Sequence, residues 1–362
     1  MSQKAIPFLM MRGGTSRGLY FSRTDLPENR DRLAQVLIAA VGSGHRYNID
    51  GLGGGVAITT KVAMLSPSDS PDVDIDYFFA QVSVTDQRVD FRPTCGNILS
   101  GVGPAALEMG LIRAEAPETR VRIRAVNTGA LVDAVIHTPD WRVTYDGDLA
   151  IDGVPGQAAP IQLNFRETVG SATGALTPTG KPCDLIDGVE VTCLDVAMPV
   201  VIARAEAFGL TGLETPEELG ANAVFIARRE AIRIKAGALM GMGDVSASVT
   251  PKFAIMAPAQ NGGAASARYF MPQTCHPSMA VTGAQCLAAS LLLPGSVTFG
   301  LAQVACSPAL LVLEHPSGSI EVVVEYDAAD QDQPLCLHSA GIMRTARLLA
   351  RGEVMIPASV WS

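Results

Sequence analysis

The chain of 362 residues carries a net charge of −9, which excludes any general attraction to nucleic acid or an anionic membrane surface. Seven scattered Cys with no C-x-x-C pair, and five dispersed His, exclude a disulfide framework and a structural zinc site and point to free thiols in a reducing compartment. With 48% apolar residues, 5% aromatic and 35 Gly, the composition suits a β-rich fold with many tight turns, long enough for two domains of about 150 to 200 residues each.

Residues 6–11 read as a buried strand, followed by the turn Arg12-Gly13-Gly14-Thr15-Ser16-Arg17-Gly18 and a short strand at 19–21. Asp25 is the expected N-cap of a helix running to Val41. Leu33, Val36, Leu37 and Ala40 fall on its inner face, and Gly42 stops it. After Gly51-Leu52-Gly53-Gly54-Gly55, residues 56–65 alternate as a strand does, and another strand is expected near 77–84. Pro93-Thr94-Cys95-Gly96-Asn97 leads into a helix on Ile98, Val102, Ala105, Ala106 and Met109, kinked at Pro104 and capped by Gly110.

In the second half, helices are expected near 215–235 and 277–293, and strands near 309–314 and 320–326. Residues 341–356 read as a strand, a short basic turn of helix and a last strand. The segment Phe91-Arg92-Pro93-Thr94-Cys95 before the first central helix is echoed by Phe270-Met271-Pro272-Gln273-Thr274-Cys275 before the second. An internal duplication produces such an echo. The turn region at 174–183 sets the expected boundary, giving halves 1–180 and 181–362, with the last strand crossing back to the first half.

No signal peptide pattern opens the chain. The longest weakly polar run, 279–293, is too short to span a bilayer and contains Thr282 and Gln285. A soluble, cytoplasmic protein is expected.

The glycine cluster does not read as a nucleotide site. The dinucleotide fingerprint needs a third Gly where Val56 stands and a helix where a strand pattern follows. A turn, flexible or open to a substrate's approach, remains. The Arg12–Gly18 turn is an isolated RGG element, poor evidence for RNA. Its hydroxyls, Thr15 and Ser16, and its guanidiniums, Arg12 and Arg17, suit carboxylates. Cys95 at a helix start is either a small buried residue or a thiol whose pKa the helix dipole lowers. Lys61 is either an edge-strand amine in water or a desolvated base. His276 and Ser278 read as cap or substrate contacts rather than as a nucleophile–base pair with Cys275. No G-x-S-x-G and no H-E-x-x-H motif occurs.

Taken together, Met11-Arg12-Gly13-Gly14-Thr15-Ser16-Arg17-Gly18, Thr59-Thr60-Lys61-Val62-Ala63, Cys95-Gly96-Asn97 and His276-Pro277-Ser278-Met279-Ala280-Val281-Thr282-Gly283-Ala284 resemble the methylaconitate isomerase family of the diaminopimelate epimerase superfamily. Gly96-Asn97-Ile98-Leu99-Ser100-Gly101-Val102-Gly103-Pro104 and Met242-Gly243-Asp244-Val245-Ser246, among others, resemble its 4-oxalomesaconate tautomerase/isomerase branch, which acts in bacterial breakdown of lignin-derived aromatic acids.

The resemblance implies an α+β, diaminopimelate-epimerase-like fold. Two pseudo-symmetric halves would each curl a β-sheet or barrel around a central helix, with the active site in the cleft between them. It implies Lys61 and Cys95 as the catalytic pair. It implies Arg12, Ser16, Arg17, Gly96, Asn97, His276, Ser278 and Met279 as substrate-binding residues. The expected activity is a proton and double-bond shift in 4-oxalomesaconate. Other expectations are a 2-methylaconitate or alkylitaconate isomerase, an amino-acid epimerase, and a non-catalytic carboxylate-binding protein. Where the superfamily's racemases carry a second Cys-Gly-rich motif, this chain has His276-Pro277-Ser278, which departs from a two-thiol racemase. The expected partners are a small unsaturated tricarboxylate and a second copy of the chain, with no cofactor, metal, nucleic acid or membrane.

Overall fold

A computed structural model describes residues 3–271, 273–329 and 335–361; Pro272 of the echoed segment lies outside them. The chain divides into two compact units. The first holds the residues up to Leu163 and those from Met343 on; the second is Asn164–Ile342.

In the first unit the elements are β1 (Gln3–Gly13), β2 (Ser16–Ser22), α1 (Arg30–Val41), β3 (Lys61–Pro67), β4 (Ile75–Val82), β5 (Val89–Asp90), α2 (Gly96–Leu99), α3 (Val102–Glu108), β6 (Glu118–Ala125) and β7 (Ala130–His137). β8 (Pro160–Phe165) leads into the second unit, which continues with β9 (Asp184–Ile186), β10 (Val189–Asp195), β11 (Pro199–Arg204), α4 (Pro216–Ala221), α5 (Ala223–Leu239), β12 (Lys252–Ala257), β13 (Ala265–Met271), β14 (Thr274–Cys275), α6 (Val281–Leu292), β15 (Ala309–His315) and β16 (Gly318–Asp327). The last strand, β17 (Cys336–Pro357), closes the chain.

The expected α+β class is the class observed, and one pairing pattern occurs twice. In the first unit β1–β2 is antiparallel, β2–β3 parallel, β3–β4 and β4–β5 antiparallel, β4–β6 parallel and β6–β7 antiparallel. In the second, β10–β11 is antiparallel, β11–β12 parallel, β12–β13 and β13–β14 antiparallel, β13–β15 parallel and β15–β16 antiparallel.

Each unit also buries a helix between its fifth and sixth such strand. Residues 102–106 of α3 are all buried, as is every residue of α6 from Gly283 to Leu292. α6 packs on β10, β11, β15 and β16. A helix apolar on all sides is stable only when enclosed.

The duplication is therefore real in topology, but the segment that suggested it aligns differently. Cys95 caps α2, whereas the cap of α6 is Ala280. Cys275 belongs to β14, the counterpart of β5, and Phe270 to β13, the counterpart of β4. Lys252 opens β12 as Lys61 opens β3.

Local expectations failed where another cap, a short turn or strand pairing overrode them. Asp25 ends a 3-10 turn, and Asn29 caps α1 instead, its Oδ1 accepting from Arg32 N–H at 3.0 Å. Pro27 explains the delay, because the residue before a proline is pushed out of the helical region. Leu33, Val36, Leu37 and Ala40 are buried as expected, and Gly42 stops the helix in the left-handed region at φ 77°.

The expected strand at 56–65 begins only at Lys61, since residues 57–59 form a 3-10 turn closed by Thr59 N–H to the Val56 carbonyl at 2.9 Å. The central helix divides into α2 and α3, and Pro104 takes the third position of α3, where its missing N–H has no intrahelical partner to lose. The helix expected at 215–235 breaks at Asn222, whose side chain caps α5. Residues 341–356 are not strand–helix–strand. They lie in one continuous strand, paired with β16 at Gly341 and Ile342 and with β1 from Ala346 on, with a register shift at Met10/Met11. No helix among the described residues is long and apolar enough to cross a membrane.

Candidate active site

Lys61 is the first residue of β3 and is paired in register with Gly18 of β2 and Gln81 of β4. A side chain at Gly18 would collide with the Lys61 carbonyl oxygen and crowd Ile98 of α2. Glycine is thus what lets the end of the Arg12–Gly18 turn, the start of β3 and α2 meet. The half-buried Lys61 Nζ donates to Gln81 Oε1 at 2.9 Å and lies 5.4 Å from the centre of the Phe79 ring.

Cys95, also half-buried, has extended backbone and caps α2. The first intrahelical bond runs from Leu99 N–H to the Cys95 carbonyl at 2.9 Å. The N–H groups of Gly96 and Asn97 precede it and are not consumed by the helix. Space is open beside Gly96, where an added Cβ would meet nothing within 4 Å.

Two buried tyrosines surround this helix start. The Tyr20 hydroxyl donates to the Ile98 carbonyl at 2.6 Å, and the Tyr77 hydroxyl to the Cys95 carbonyl at 3.4 Å. Burial, with a smaller electrostatic contribution from the neighbouring Cys95 side chain, holds both phenols well above their usual pKa. They stay neutral and serve as donors to backbone rather than as acids.

The turn residues divide by partner. Asn97 spends its side chain on the turn: Nδ2 donates to Thr15 Oγ1 at 3.0 Å, and Oδ1 accepts from Thr15 N–H at 3.4 Å. Arg12 Nη1 donates to the carbonyls of Gly14 and Thr345 and to Thr345 Oγ1, each at 3.0 Å, so this guanidinium ties the turn to β17. Burial, followed by the nearby Arg347, lowers its pKa. Arg17 differs. Its Nη2 lies against Gly54 of the glycine cluster, and its Nε is buried without a hydrogen-bond partner. Ser16 is buried in β2.

The glycine cluster is a tied turn. Asn48, 1% exposed, donates through Nδ2 to the carbonyls of Gly42, His45 and Val84 at 3.0, 3.3 and 3.1 Å, and its Oδ1 accepts from Gly55 N–H at 2.8 Å. Asn48→Ala leaves these groups without their partner in a residue at φ 50°. The expected result is a loss of about 2–3 kcal/mol of stability, read as a lowered Tm.

The remaining expected site residues lie in the second unit. His276 N–H donates to the Tyr269 carbonyl at 2.7 Å, and its Nδ1 accepts from Ser278 N–H at 2.9 Å, which leaves Nε2 as the protonated nitrogen of the neutral ring. Burial lowers the His276 pKa. The Met279 side chain is buried in that unit's apolar core. Cys275 is buried too, its thiol pushed up to about 11.

Sequence reasoning missed Gln81 and the two tyrosines. Only the Lys61–Gln81 register reveals the first, and nothing local in the sequence reports it.

A family model described as PrpF protein matches residues 3–357. The chain is 48% identical to YbhH of Escherichia coli over 98% of this chain and 100% of that one. It is 44% identical to the 4-oxalomesaconate tautomerase of Pseudomonas putida over 100% and 99% of the two chains. It is also 44% identical to the (4E)-oxalomesaconate Delta-isomerase of a Novosphingobium species over 97% of each. A crystal structure of a methylitaconate-delta-isomerase superposes with a TM-score of 0.91 at 32% identity, covering 100% of this chain and 99% of that one. On these likenesses the chain belongs to the PrpF protein family, among relatives named as isomerases.

Proposed function

We propose that the protein is an isomerase that shifts a proton, and with it a double bond, in 4-oxalomesaconate. The observation that carries this reading is that β2, β3 and α2, the elements that carry Arg17, Lys61 and the Cys95 cap, pack on one another. An amine and a thiol at the ends of neighbouring elements, beside an arginine with a buried unpartnered Nε, suit proton transfer on a small anionic substrate.

In this mechanism a C–H bond allylic and conjugated to the 2-oxo group breaks, and its proton passes to Lys61. The electron pair spreads into a dienolate. Cys95 delivers a proton at the far carbon, and solvent restores both groups. The oxidation level is unchanged overall. Arg17 holds a substrate carboxylate, while the free N–H groups of Gly96 and Asn97 balance developing negative charge. The seven unpaired thiols, two of them exposed, suit the reducing cytoplasm.

A second reading, an alkylitaconate isomerase, draws on the superposition with methylitaconate-delta-isomerase. Proton NMR in heavy water separates the two. With 4-oxalomesaconate, deuterium is expected at two carbons together with movement of the double bond. Accelerated keto–enol exchange with no migration would replace the allylic shift by tautomerisation. Inertness toward 4-oxalomesaconate with turnover of methylitaconate would select the second reading.

A further inference from the structure

We propose that Gln81 is a positioning residue: it holds the Lys61 amine at one fixed point through a neutral acceptor whose orientation the surrounding strands dictate. The inference rests on the isomerase reading only in taking Lys61 as the proton-transferring group.

An amide presents either its oxygen or its NH2, and its neighbours decide which. Gln81 Nε2 reaches the Ala57 carbonyl at 3.1 Å, Thr60 Oγ1 at 3.2 Å and the Val82 carbonyl at 3.2 Å. Two of those three can only accept. Turning the amide over would set its oxygen against two carbonyl oxygens and its NH2 against the Lys61 amine. The oxygen must therefore face Lys61 Nζ, at 2.9 Å.

The partners themselves are fixed. Thr60 is buried, and its Oγ1 donates to the Val82 carbonyl at 2.7 Å. Ala57 belongs to the 3-10 turn that delays the start of β3. That turn, which overrides the alternating pattern of the sequence, is thus part of what aims the amide.

The neutrality of the acceptor matters. A carbonyl oxygen accepts from a charged ammonium and from a neutral amine alike, so it can hold the base in either state of the proton cycle. A carboxylate in its place would favour the charged form. A base must be neutral to act, so its rate rises as pH climbs through its pKa, and a raised pKa moves that limb to higher pH.

The test compares wild type, Gln81→Glu and Gln81→Met, with thermal melts to confirm that each folds. Two readouts are taken: the pH profile of kcat/KM on 4-oxalomesaconate, and the pH dependence of Lys61 acetylation by trace acetic anhydride, followed by peptide mass spectrometry. The second needs no substrate. Gln81→Glu is expected to move both midpoints up by about one pH unit or more and to recover its rate above the shifted limb. Gln81→Met is expected to lose about tenfold in kcat at every pH, with KM little changed, because the amine is no longer held. A Lys61 labelling midpoint that Gln81→Glu leaves in place, or a Gln81→Met enzyme at full rate, would overturn the proposal. A shifted labelling midpoint in a protein inert toward 4-oxalomesaconate would uphold the positioning role and reject the substrate.

Discussion

Lys61→Met is expected to lower isomerisation by about 10²–10⁴-fold, the usual contribution of a positioned acid–base group, while the far-ultraviolet spectrum and the melt stay close to wild type. Methionine keeps an unbranched, flexible side chain and removes the amine, which lies 5.4 Å from the centre of the Phe79 ring. The fold should tolerate the loss. One hydrogen bond to Gln81 Oε1 disappears, but the amide keeps the three contacts of its nitrogen. The decisive readout is deuterium wash-in at the carbon that loses its proton, measured by NMR. If Lys61 is the base, the variant exchanges nothing there. A Lys61→Met enzyme with near-normal wash-in would take the lysine out of the mechanism.

Cys95→Ala is the second large effect. Overall turnover is expected to fall by a similar factor, about 10²–10⁴, but through a different step. With Lys61 intact, the first proton still leaves, so the donor carbon continues to exchange with heavy water although the double bond no longer moves. The two variants therefore separate: Lys61→Met stops both processes, and Cys95→Ala stops only the second. The opposite pattern would reverse the acid and base roles. Folding should survive. Cys95 is only half-buried and caps α2 through its backbone with no side-chain bond. Tyr20 and Tyr77 bond to main-chain carbonyls that alanine retains.

Both predictions rest on positions read from the chain before any tertiary contact was known. Local order makes them stand out, Lys61 as the one charge in a run of small and apolar residues and Cys95 before an apolar stretch of helical spacing. It left each with a structural alternative, and the family resemblance is what implied them as a catalytic pair. The same kind of signal gave the inner face of α1, the stop at Gly42 and the strands later found as β15 and β16. Periodicity and caps are written within a few residues, so one sequence suffices to read them.

Residue order within short windows sets the chemical groups and most of the regular elements. The tertiary structure alone decided how they are held. It started β3 at Lys61, because the Thr59 hydrogen bonds close a turn where alternation called for strand. It drew the basic residues 344–347 into a continuous β17, because β1 supplies a ladder that outweighs local helical preference. It assigned Arg12 to Thr345, left Arg17 Nε without a partner, and set Gln81 opposite Lys61. It also placed Cys275 in a strand rather than at a helix start, separating true duplication from a chance echo. Apart from the Thr59 turn, which is local, these depend on contacts between residues far apart in the chain. Register is fixed by the summed burial and hydrogen bonding of whole strands, and no short window of sequence contains it.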